Sequence, residues 1–146
     1  MRKIYHNFTN EEEVLGSLIL KTKKGKHIKI KDTQNKFVKN VITKLSEDFK
    51  FKIKDESYWL IEHRPRGHKW HKDTGSKNHM MWCEVGVSLM LKKANNGGET
   101  YYSDNGNINN PIKIERDLYD LVAHTSDEWH MVEKHQGERI VFLMFI

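Results

Sequence analysis

The sequence predicts a mainly β protein with N-terminal helices, an α+β arrangement built on a jelly-roll core. Three observations carry that expectation. From about Phe51 onward the chain breaks into short β-rich runs separated by turn residues. Helical periodicity and helix-capping residues are confined to the segment before it. A length of 146 residues gives one domain with a sizeable core and little room for a second.

The elements follow in order. Thr9-Asn10 supplies a capping residue, and Glu11, Glu12 and Glu13 fall in the first turn, where the helix dipole favours acids. Val14, Leu15, Leu18 and Ile19 continue at helical spacing. Lys26-His27-Ile28-Lys29-Ile30 alternates and predicts a short strand. Asp32-Thr33 is expected to cap a second helix, in which Phe37, Val38, Val41, Ile42 and Leu45 form one apolar stripe, with Lys36, Lys39 and Lys44 on the other faces. That stripe predicts packing against a sheet. Eight candidate strands come next: Tyr58–Arg64, Gly67–Lys72, Glu84–Leu91, Glu99–Ser103, Ile112–Glu115, Tyr119–His124, Trp129–Lys134 and Arg139–Ile146. Eight short strands in about 90 residues fit a closed or sandwiched antiparallel barrel.

Composition narrows the class. Hydrophobic residues make up 37% and charged residues 31%, which is polar but not disordered in character. Cys83 is the only cysteine, so no intrachain disulfide forms and a reducing, cytoplasmic location is expected. The N-terminus lacks the apolar core of a signal peptide, and the last apolar run is too short to span a bilayer, so no membrane partner is expected. The formal charge of +5 is uneven: residues 1–55 hold 14 Lys/Arg against 7 Asp/Glu, while residues 56–146 hold 11 against 13. Such a flank attracts nucleic acid or an acidic protein, but a solvated helix face explains it more simply, and no nucleic-acid motif accompanies it.

The chemistry concentrates in the second half. In His71-Lys72-Asp73 the outer residues are two apart, so extended backbone points both to one face. With His130 they make two imidazoles and a carboxylate, the set that holds a mononuclear Fe(II) while leaving three adjacent positions open. Arg139 follows Gly137 and precedes the apolar Ile140-Val141-Phe142-Leu143. An arginine at the mouth of a buried strand requires an anionic partner, and its planar fork suits a carboxylate. His68, His79, His124, His135 and, on composition alone, His63 read as surface or satisfied core residues. A zinc site from His68, His71 and His79 lacks a fourth ligand.

With Gly97-Gly98-Glu99 between the halves and Gly137-x-Arg139 after the last histidine, residues 58–146 resemble the Fe(II)/2-oxoglutarate-dependent dioxygenase superfamily, and within it the prolyl 4-hydroxylase-like branch. The resemblance implies a double-stranded β-helix, the cupin-like form of the jelly roll. Residues 56–146 would form this core and residues 1–55 a helical or mixed flank packed on it, within a single domain. It implies Fe(II) on His71, Asp73 and His130, with no catalytic residue beyond these ligands. It further implies 2-oxoglutarate as cosubstrate with its distal carboxylate on Arg139, dioxygen, and ascorbate as reductant. The reaction implied is hydroxylation of a C–H bond in a peptidyl (prolyl-type) or small-molecule substrate, with release of succinate and carbon dioxide.

Relatives usually carry a tyrosine on the strand before the H-x-D motif, followed by a glycine turn. In Glu62-His63-Arg64-Pro65-Arg66-Gly67 the turn survives and His63 takes the tyrosine's place. The second cosubstrate contact is therefore expected from His63 and Ser88, with Tyr58 and Tyr101 as other candidates. Asp73 separates the chain from halogenating relatives, which lack that ligand. Trp70, Trp82 and Trp129 lie beside site elements, either walling a pocket or packing in the core. Two other readings stand beside this one: a cupin-like metal module that uses no 2-oxoglutarate, and an oxygenase acting on nucleic acid.

Overall fold

The computed structural model describes residues 1–64, 66–74 and 79–146; Pro65, within the expected glycine turn, and residues 75–78 lie outside it. In chain order the elements are β1 (Arg2–Tyr5), α1 (Glu11–Gly16), β2 (Ile28–Lys29), α2 (Lys36–Leu45), β3 (Tyr58–His63), β4 (His68–His71), β5 (Val85–Lys92), β6 (Asn96–Gly97), β7 (Thr100–Ser103), β8 (Ile112–Ile114), β9 (Leu121–Thr125), β10 (Trp129–Val132), β11 (His135–Gln136) and β12 (Ile140–Phe145). Six strands form an antiparallel sheet in the order β1-β9-β5-β12-β3-β2, and four form a second sheet, β4-β10-β7-β8. A short ribbon pairs β11 with β6. This is a jelly-roll core, and all eight runs expected after residue 55 are strands whose ends fall within 2 residues of expectation.

Strand parity divides the large sheet between a core and a cavity. Trp59 and Ile61 of β3, Val85, Val87 and Leu89 of β5, Leu121 and Ala123 of β9, and Phe142 and Met144 of β12 join one apolar cluster. Val14, Ile19 and the α2 residues Phe37, Val38, Val41 and Leu45 complete it. The Phe37 ring meets Phe142 edge-on, with centroids 5.8 Å apart. The intervening residues, among them Leu60, Glu62, Ser88, His124, Val141 and Leu143, line a cavity on the opposite face. The apolar stripe of α2 thus covers one face of the sheet and leaves the other free for chemistry.

The N-terminal helices differ in detail from expectation. Asn10 caps α1 by accepting a hydrogen bond from the Glu13 N–H at 2.9 Å. The helix ends at Gly16, and Leu18 adopts a left-handed conformation with φ 61°. Leu15 and Leu18 therefore point to solvent, and only Val14 and Ile19 of the expected stripe are buried. The cap of α2 is Asn35, not Asp32-Thr33. Its side-chain oxygen accepts from the N–H groups of Phe37 and Val38 at 2.8 and 3.2 Å, and its amide donates to the Ser17 carbonyl. Thr33 is engaged elsewhere, accepting from the Trp59 indole at 3.0 Å, and Asp32 closes a 3-10 turn.

Asn35→Ala removes both cap bonds and the tie to Ser17, so it is expected to destabilise the protein by about 1–2 kcal/mol. A urea titration followed by far-UV circular dichroism measures this as a lower midpoint with unchanged slope.

Candidate metal centre

β4 runs antiparallel to β10 with His71 opposite His130, which brings the two imidazoles to a centroid separation of 4.2 Å. Asp73 follows the end of β4. One ligand atom from each of His71, Asp73 and His130 lies within 4.8 Å of the others. Asp73 and His130 are buried, at 5% and 8% exposure. Nδ1 of His71 lies 2.7 Å from the Lys69 carbonyl, and Nδ1 of His130 lies 2.9 Å from the Glu128 carbonyl. A carbonyl can only accept, so Nδ1 carries the proton in both rings and Nε2 keeps its lone pair. The two histidines are held alike, each by the carbonyl two residues before it, in the tautomer that ligation requires.

Asp73 is the most heavily supported member. Its Oδ2 lies 2.6 Å from His124 Nε2, and its Oδ1 lies 3.4 Å from His130 Nε2. The other ring nitrogen of His124 lies 2.6 Å from the Tyr102 hydroxyl. Burial opposes the charge on Asp73, yet the His124 hydrogen bond, the largest opposing influence, overcomes it and holds the carboxyl well below the usual range. Burial lowers His124 and raises Tyr102. A neutral His124 therefore donates from Nε2 to the carboxylate and accepts the Tyr102 proton at Nδ1. His68 stacks on His71 with ring centroids 3.7 Å apart.

Burial lowers both His68 and His71 to about 4, with the Arg64 charge adding to it at His68 and that of His130 at His71. In the unfolded chain both titrate near 6.5. A depressed histidine contributes stability that is complete above the unfolded value and lost as pH falls through the folded one. The metal-free protein is therefore expected to lose urea resistance between about pH 6.5 and pH 4. His68→Asn, which removes one titrating ring, should flatten that dependence.

The cavity beside these residues has a volume of about 290 Å³. Leu60, Val132, Val141, Leu143 and Phe145 give it apolar walls, and Ser88, Thr100, Tyr102, Arg116 and Arg139 add polar groups. Arg139 is 5% exposed, and its Nε donates to the Gly98 carbonyl at 3.1 Å. Gly98 has φ 79°, and a side chain there would press on Arg139 Cδ at 3.1 Å. The Gly97-Gly98 turn thus seats this arginine. Burial lowers the proton affinity of Arg139 while Glu62 and Glu99 raise it; the group stays cationic.

Other residues singled out in the sequence fall differently. Ser88 lines the cavity, as does Tyr58. His63 does not, because parity puts it on the face of β3 opposite Leu60 and Glu62, and its ring meets Glu138 at 3.1 Å. Tyr101 likewise yields its place to Tyr102. None of Trp70, Trp82 and Trp129 lines the cavity. His68, His79 and His124, which read as surface or satisfied core residues in the sequence, all do.

The fold is that of the 2OG-Fe(II) oxygenases. An oxidoreductase of that family from Burkholderia pseudomallei aligns over 62% of this chain with TM-score 0.50 and 17% identity, and the chain spans 42% of that protein's length. Among the prolyl hydroxylases, a prolyl-4-hydroxylase from Pseudomonas putida aligns over 99% of this chain and 84% of its own, with TM-score 0.72 and 12% identity. A prolyl hydroxylase from Trichoplax adhaerens, solved with a hypoxia inducible factor oxygen degradation domain peptide, aligns over 99% and 82%, with TM-score 0.68 and 14% identity. At these identities the likeness is one of fold. No family model matches the chain, and no curated protein matches it in sequence. Among the described residues no helix is long and apolar enough to cross a membrane.

Proposed function

We propose that this protein is an Fe(II)- and 2-oxoglutarate-dependent dioxygenase that hydroxylates a C–H bond. The observation that carries the proposal is the joint placement of His71, Asp73 and His130 at a cavity whose lining includes the buried Arg139. The donor set fits the metal. Two imidazoles whose Nδ1 atoms are taken by backbone carbonyls are left with Nε2 to offer a metal, and an ionised carboxylate supplies negative charge. Bound there with 2-oxoglutarate, Fe(II) supplies dioxygen activation coupled to release of succinate and carbon dioxide.

The protein's own part is positioning. His71 and His130 are fixed in the ligating tautomer by backbone carbonyls, and His124 holds Asp73 by its outer oxygen. Arg139, held at Nε by the Gly98 carbonyl and lining the cavity, orients the far carboxylate of the cosubstrate. The apolar walls limit water around the reacting groups. Ser88 acts indirectly, because its hydroxyl is already engaged by Arg116. A peptidyl, prolyl-type substrate is favoured by the fold shared with the prolyl hydroxylases.

The test is turnover of 2-oxoglutarate by the purified protein with Fe(II) and ascorbate, in the presence of prolyl peptides. Succinate that requires iron and is lost in His130→Ala supports the reading. Metal binding without any succinate points instead to a cupin-like module.

A further inference from the structure

Arg116 is a second buried guanidinium on the same cavity, in the connection between β8 and β9, and no motif of the sequence marks it. It is 6% exposed. Nη1 donates to the Ser88 carbonyl at 3.1 Å and to Ser88 Oγ at 3.0 Å, and Nη2 lies 3.5 Å from Thr100 Oγ1. Every one of these acceptors is neutral. Arg139 is in the same position, with a backbone carbonyl on Nε. Among the described residues neither arginine has a carboxylate in ion-pair contact. Burial, and next the charge of Arg139, lowers Arg116 to about 10, so both groups remain cationic at neutral pH.

Two buried cations that repel each other, with Glu99 acting on both but no carboxylate within ion-pair distance of either, are costly unless an anion joins them. The small pocket they both border has a volume of only about 10 Å³, roughly one water. The space open to both is the main cavity.

We infer that Arg116 and Arg139 together form a carboxylate subsite, with Arg116 as a further binding residue that selects ligands carrying a fully ionised distal carboxylate. The identity of that ligand as 2-oxoglutarate rests on the function proposed above; the anion subsite itself needs no metal. Ser88 and Thr100 steer the second fork without neutralising it, which leaves its charge for the ligand.

The experiment is calorimetric titration of the metal-free protein with glutarate, a dicarboxylate of the same chain length, at low salt. Arg116→Gln and Arg139→Gln are each expected to weaken glutarate binding by about 10-fold or more. Pentanoate, which lacks the second charge, should bind far more weakly than glutarate to the wild type. Wild-type glutarate affinity in Arg116→Gln, with binding weakened in Arg139→Gln, overturns the role of Arg116 and leaves the proposed function standing. Unchanged affinity in both variants, or no glutarate binding by the wild type, overturns the subsite itself. Where Arg116→Gln does not fold, a crystal structure of the wild type with glutarate decides. A carboxylate held by both arginines supports the inference, and one held by Arg139 alone overturns it.

Discussion

Gly86→Ala is expected to cut Fe(II) affinity by about 10- to 100-fold although it removes no ligand. A Cβ at position 86 would lie 2.1 Å from Asp73 Oδ2 and 2.7 Å from His124 Nε2, far inside any real contact. Something must move. Gly86 sits in β5, paired on one side with β9 and on the other with β12, between Val85 and Val87, each 1% exposed. Such a strand yields less than a side chain just beyond the end of β4. Asp73 is therefore the group displaced, and its hydrogen bond to His124 goes with it. An anaerobic metal titration, with circular dichroism to confirm the fold, measures the effect. Wild-type affinity in a folded Gly86→Ala protein would contradict the packing described here.

Arg139→Ala is expected to raise the 2-oxoglutarate requirement by about 30-fold or more while sparing Fe(II). Truncating one partner of a buried, hydrogen-bonded charge pair costs about 2–5 kcal/mol, and the lower figure alone corresponds to that factor. The loss falls on cosubstrate binding because Arg139 is not among the three grouped candidate ligands. Arg139→Lys keeps the charge but loses the planar fork, so it should fall between the two. Affinity for 2-oxoglutarate unchanged in Arg139→Ala would remove this residue from the cosubstrate site.

Much of this arrangement was legible in the sequence because it rests on short-range periodicity. The strands announced themselves by alternation and turn residues, and His71-x-Asp73 sits at the spacing that puts two side chains on one face. What escaped depends on long-range packing. His124 ends the apolar run Leu121-Val122-Ala123, where it reads as a core histidine, and only its proximity to Asp73 reveals a role. The available signal was parity, since His124 shares its face with Val122. Arg116 lies outside any strand or helix and has no period to betray it. His63 differs for the opposite reason: its place in the chain matches the tyrosine of the relatives, but a one-residue shift reverses the face. The cap of α2 slipped to Asn35 because several polar residues precede the stripe, and tertiary contacts to Trp59 and Ser17 chose among them.

The proposed function requires that His71, Asp73 and His130 form one iron site that 2-oxoglutarate chelates. Anaerobic addition of Fe(II) and then 2-oxoglutarate, followed by visible absorption, tests it most directly. The expected result is a metal-to-ligand charge-transfer band that needs both additions and is absent in His71→Ala. Bound metal with no such band in the wild type would contradict it.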